Sequence, residues 1–73
     1  MTHLDLLAPG SAARVACLTS GAPIRRRLLD LGLTRGAQVE CLYASPAGDP
    51  KAYLIRGAVV ALRGADASQV ELI

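Results

Sequence analysis

The sequence predicts a mostly β chain: a small, strongly bent barrel of about five short strands with one short inserted α-helix. Three observations carry this. Short alternating apolar stretches recur between Gly/Pro/Asp-rich punctuation. One segment alone, beginning at Pro23, shows helical periodicity. At 73 residues, the chain is expected to be one domain, residues 1–73, and that many short strands cannot leave long open edges without inviting aggregation.

Met1 to Gly10 reads as a lead-in, with Leu4, Leu6 and Leu7 as apolar anchors and Pro9-Gly10 as a turn. Arg14 to Leu18 alternates weakly, Val15 and Cys17 on one face and Arg14 and Ala16 on the other, which predicts a strand. Thr19-Ser20-Gly21-Ala22 has capping chemistry, and Pro23 suits the first helical position. Ile24, Leu28 and Leu31 stand at i, i+4 and i+7 and form one helical face. Gly32 follows where a left-handed C-terminal cap is common. So short a helix persists only by packing.

Ala37 to Ala44 alternates cleanly, with Val39, Cys41 and Tyr43 on one side, and is the next strand. Ser45-Pro46-Ala47-Gly48-Asp49-Pro50 is the strongest loop signal. Ala52–Arg56 and Ala58–Leu62 form a tight hairpin around Gly57. Gly64 to Ser68 is a turn with room for one turn of 3₁₀ helix, and Gln69 to Ile73 closes the chain as a strand. Leu28, Leu31, Val39 and Val59 are expected to be buried together in the core.

Composition narrows the function. Apolar types make up 52% of the residues and charged types 19%, a globular balance. Phe and Trp are absent, so the stacking platforms typical of single-stranded nucleic-acid binders are missing. A formal charge of +2 is too small to imply nucleic acid or an anionic membrane. No apolar run reaches the ~20 residues of a membrane span, and no signal peptide is visible, so a soluble cytoplasmic protein without membrane insertion is expected. Cys17 and Cys41 lie among aliphatic residues and read as two buried free thiols.

Little here can carry chemistry. His3 is the only histidine, so no Ser/His/Asp set can form, and the six carboxylates are scattered without pairing. No enzyme activity and no cofactor are expected. No ligand set of the kind a tight transition-metal site needs is present, which leaves only weak contact through oxygen. Met1-Thr2-His3 matches the amino-terminal X-X-His pattern that chelates Cu²⁺ or Ni²⁺, although trimming of the methionine would spoil its register.

Arg25-Arg26-Arg27 is the single charge cluster. It reads either as a solvated helix face or as a surface for an acidic protein, and is thin for nucleic acid. Asp30 lies three residues beyond Arg27 and four beyond Arg26, so it is placed to pair with either. Asp49 sits in a loop held by two prolines, either as a turn former or as a partner contact.

Arg27-Leu28-Leu29-Asp30-Leu31-Gly32-Leu33 followed by Gly36 resembles the helix-to-strand signature of the FeoA family, small cytoplasmic proteins of bacterial ferrous iron transport. Gly48-Asp49-Pro50, and Ala61-Leu62-Arg63 followed by Ala67, resemble the family's second and third signatures in the same order. Leu4 with the Pro9-Gly10 turn fits its usual start. The resemblance covers essentially the whole chain. It implies an SH3-like barrel, a part in iron homeostasis, and a partner: the cytoplasmic GTPase region of the ferrous iron transporter FeoB. Arg25, Arg26, Arg27, Asp49 and Arg63 are the expected partner-binding residues, and weak self-association stays open. The alternative is an SH3-like regulatory domain related to the C-terminal domain of iron-dependent repressors. A free-standing chain of this length favours the transport accessory over that alternative.

Overall fold

The computed structural model describes residues 2–73. A 3₁₀ turn at Leu4–Leu6 precedes β1 (Ala12–Leu18), α1 (Ala22–Asp30), β2 (Gln38–Ala44), β3 (Lys51–Ile55), β4 (Ala58–Leu62), α2 (Gly64–Ala67) and β5 (Val70–Leu72). The five strands form one antiparallel sheet in the order β4-β3-β2-β1-β5. Every strand places at least one residue in the same buried cluster. A single sheet can do that only by curling around its core, with Leu28 of α1 and Ala67 of α2 completing it. The mostly β class, the strand count and the inserted helix stand as the sequence predicts.

The curl is visible as register shifts. Val15 pairs Leu72 and Cys17 pairs Glu71, so β1 gains a residue between them. Such a bulge bends a strand and reverses its inward-outward phase. Val15 and Leu18 are buried and Cys17 is exposed. The expectation that Cys17 is a buried thiol is therefore wrong, and Leu18 takes the inward position. A second shift in β2, between Cys41 and Tyr43, leaves Cys41 buried and turns Tyr43 out, 60% exposed. Simple alternation had put Tyr43 on the side of Val39 and Cys41.

α1 has Gly21 as its N-cap, Pro23 in the first turn, and no side-chain cap from Thr19 or Ser20. Its C-terminus is more strongly determined. Gly32 has φ +102°. Its N–H donates to the Leu29 carbonyl at 2.9 Å, and the Leu33 N–H donates to the Leu28 carbonyl at 3.2 Å. This is a Schellman cap, and its companion contact brings together Leu28 and Leu33, both fully buried. Leu31 is only partly buried against the core, and Ile24 at the opposite end is 39% exposed. The helix is thus anchored at its C-terminal half.

Arg56 (φ +51°) and Gly57 (φ +79°) turn the β3–β4 hairpin. Two left-handed residues make a two-residue type I′ loop. The ladder then sets Val60 opposite Tyr53, so Val60 packs on the core and Val59 faces out, 62% exposed. Burial of Val59 is overturned. The run Ala58-Val59-Val60-Ala61 has no polar residue to reveal its phase, and only the ladder fixes it.

The lead-in is tied down. Lys51 Nζ donates to the carbonyl oxygens of Asp5 at 2.8 Å and Leu7 at 3.4 Å, and Leu4 is fully buried. The Leu72 N–H donates to the Thr2 carbonyl, and His3 bridges to Glu71, so the lead-in covers the outer side of β5. The Met1-Thr2-His3 chelate includes Met1, which lies outside the described residues.

Candidate functional site

α1 turns only Leu28 fully inward, so most of its surface faces away from the sheet. Ala22, Arg25, Arg26, Leu29 and Asp30 line a shallow groove of about 370 Å³ on this outer face. Leu29 is 38% exposed there. The groove therefore combines an apolar floor with two guanidinium groups and one carboxylate.

The three arginines have three different fates. Arg25 Nη1 donates to the Leu18 carbonyl at 3.0 Å, which fixes the helix N-terminal half to the end of β1. Arg27 Nη2 donates to Asp66 Oδ2 at 2.6 Å, joining α1 to α2. Arg26 makes no side-chain hydrogen bond or ion pair among the described residues. The expected pairing of Asp30 with Arg27 or Arg26 is not formed. Asp66 is the better partner for Arg27, because its side chain is only 23% exposed and is less screened by water.

Asp49 and Arg63 meet at α2. Asp49 Oδ1 accepts the Gly64 N–H at 2.6 Å, and Asp49 Oδ2 lies 3.9 Å from Arg63 Nη1. α2 has no capping side chain at its own N-cap, Arg63. The carboxylate of the distant loop satisfies that first N–H instead. The Ser45–Pro50 loop and α1 are thus both linked to α2, one through Gly64 and the other through Asp66. The five expected binding residues do not form one cluster. Arg25 and Arg26 belong to the groove, Asp49 and Arg63 to the α2 corner, and Arg27 to the link between α1 and α2.

Two contributors escaped the sequence reading. Leu29 lies off the Ile24-Leu28-Leu31 stripe, and a leucine outside the buried face was the available signal for an apolar contact surface. Lys51 stands beside the loop signature, and nothing in its spacing shows that it holds the lead-in.

Beneath the α2 corner, Asp5, Asp49, Lys51, Tyr53, Leu62 and Gly64 are among the residues around a small cavity of about 190 Å³. Burial pushes the Tyr53 hydroxyl up to about 12, with Cys41, Asp5 and Asp49 adding to the effect. Burial likewise pushes the Cys41 thiol up, which keeps it protonated and inert. Among the described residues, no three His, Cys, Asp or Glu side chains gather as a metal site, and no helix is long and apolar enough to cross a membrane. The arrangement offers surfaces for binding.

A family model described as the FeoA domain matches residues 2–73. No curated protein matches the chain. The solution structure of the FeoA protein from Chlorobium tepidum is 34% identical, with a TM-score of 0.89, covering 97% of this chain and 68% of that one. The crystal structure of Stenotrophomonas maltophilia FeoA, complexed with zinc and described as an SH3 domain protein, is 26% identical. Its TM-score is 0.89, over 100% of this chain and 91% of that one. IdeR of T. acidophilum is 19% identical with a TM-score of 0.83, covering 97% of this chain and 32% of that one; this likeness is one of fold alone. The curled sheet with its inserted helix is thus SH3-like, as the Stenotrophomonas maltophilia protein is described.

Proposed function

This chain belongs to the FeoA family, and we propose that it is an accessory protein of ferrous iron uptake that docks on the cytoplasmic region of a FeoB-type transporter. It acts in the cytoplasm by binding and modulates Fe²⁺ transport without chemistry of its own. The observation that carries this reading is the groove on α1. An exposed Leu29 lies beside Arg25 and Arg26, and the Arg26 guanidinium has no internal partner among the described residues.

An apolar patch flanked by arginines suits a protein surface with a hydrophobic anchor and carboxylates around it. Arg26 is free to form a bidentate pair, whereas Arg25 has one N–H already engaged and Arg27 is committed to Asp66. Asp49 and Arg63 form a second, self-neutralising corner and are secondary contacts in this reading. The likeness to the repressor rests on fold and supports no reading of its own.

The experiment is titration of the chain against the transporter's purified cytoplasmic region, followed by amide shift mapping. Shifts concentrated on Ala22–Asp30 are the expected result. Saturable binding without change in α1 would move the contact elsewhere, and absence of binding would remove the reading.

A further inference from the structure

The two outer strands are treated differently. β5 is covered by Thr2 and His3 of the lead-in. Among the described residues, β4 has β3 as its only strand neighbour. In a hairpin with a two-residue loop, the residues flanking the loop exchange hydrogen bonds, and bonded and non-bonded pairs then alternate. Ala58, Val60 and Leu62 therefore bond to β3, while the N–H and C=O groups of Val59 and Ala61 point away from it. Neither residue's backbone has a partner elsewhere among the described residues.

Exposed edges are normally blunted by charge, proline or a bulge. β4 has none of these: it reads Ala-Val-Val-Ala-Leu and pairs β3 without a register shift, whereas β1 and β2 each contain one. Positive charge brackets the strand, with Arg56 in the turn and Arg63, its side chain 73% exposed, just beyond the far end.

We propose that β4 is a second docking edge, which takes an extended segment of a partner protein by strand addition, the segment carrying carboxylates at its two ends. Val59 and Ala61 supply about four hydrogen bonds, two N–H donors and two C=O acceptors. Arg63, its side chain 73% exposed although 3.9 Å from Asp49, and Arg56, with one N–H engaged by Thr34, keep further N–H groups to meet the acidic ends. The same charges disfavour a second copy of the chain. Antiparallel β4–β4 pairing centred on Val60 would bring Arg56 of one copy beside Arg63 of the other at both ends, where like charges repel.

The test reads amide hydrogen exchange of the full chain at Val59 and Ala61. Two probes are used separately: the transporter's purified cytoplasmic region, and a short capped peptide of alternating valine and threonine with an aspartate at each end. Slowing by about tenfold or more at these two amides with either probe is the expected result. Protection from the peptide alone would keep the edge and remove the transporter as its occupant. Protection by the transporter confined to α1, with none from the peptide, would overturn the edge and leave the groove reading intact. Protection that rises with the chain's own concentration, without a probe, would overturn the partner assignment in favour of a second copy. No protection under any condition would overturn the proposal. Val59→Pro removes one outward N–H without touching the ladder, and should weaken binding of the protecting probe by about tenfold. Val59→Thr, which keeps that N–H, should bind as the parent does.

Discussion

The side-chain stem of Arg56 occupies the space that a β-carbon on Gly32 would need: built there, that carbon would lie 2.8 Å from Arg56 Cδ and 3.1 Å from Cγ. Gly32 ends α1 and Arg56 turns the β3–β4 hairpin, so the relationship joins the helix cap to the sheet. Arg56 continues past Gly32 and its Nη2 donates to Thr34 Oγ1 at 3.0 Å.

Gly32→Ala therefore faces two penalties, a left-handed backbone at φ +102° and displacement of Arg56 from Thr34. A loss of about 1 kcal/mol or more is expected from denaturant unfolding. Adding Arg56→Ala should recover only the steric part, so the double variant remains less stable than Arg56→Ala alone.

Leu28→Ala should cost about 2–5 kcal/mol, since Leu28 is fully buried and partners Leu33 in the helix cap. Leu29→Ala, its neighbour in the groove, should stay within about 0.5 kcal/mol of the parent. Equal losses at the two positions would mean that the helix packs in another rotation.

Asp49→Ala removes the acceptor for the Gly64 N–H and should cost about 1 kcal/mol, while Asp49→Asn, which keeps an oxygen, should cost less. Thermal unfolding of the two variants checks the order. The Arg27–Asp66 pair is open to solvent on its Arg27 side, 60% exposed, and Arg27→Ala should change stability by less than about 1 kcal/mol.

Tyr53 gives the stability a specific alkaline limb. Its hydroxyl ionises at about 12 in the folded chain because burial disfavours the tyrosinate, against roughly 10 when unfolded. The unfolded chain releases its proton first, so this contribution is complete below roughly pH 10 and is lost as pH rises towards 12. Denaturation as a function of pH should show this fall, and Tyr53→Phe should flatten it.

Much of the fold was legible because its punctuation is chemical. Pro23, Gly32, Pro46 to Pro50 and Gly57 mark their boundaries whatever the tertiary context. What the sequence hid was phase. The bulges in β1 and β2 reverse Cys17 and Tyr43, and they arise from the curl of the whole sheet, which no local window contains. Val59 sits in an apolar run, and its side is decided by pairing with β3. The groove was half legible. Arg25 and Arg26 are exposed as expected, but the partner of Arg27 is Asp66, distant in sequence, so helical spacing pointed to Asp30 instead. Asp49 was singled out for its loop, and its bond to Gly64 depends on a contact across the fold.

Charge reversal on α1 is the sharpest test of docking through the groove. Arg25→Glu with Arg26→Glu changes two exposed side chains and loses one hydrogen bond, to the Leu18 carbonyl. The fold should persist by circular dichroism, with a stability change of about 1 kcal/mol at most. Titration against the transporter's cytoplasmic region should show affinity weakened by about tenfold or more, the deficit growing at low salt as like charges repel across the interface. Unchanged affinity with an intact fold would show that the groove on α1 is not where the transporter docks.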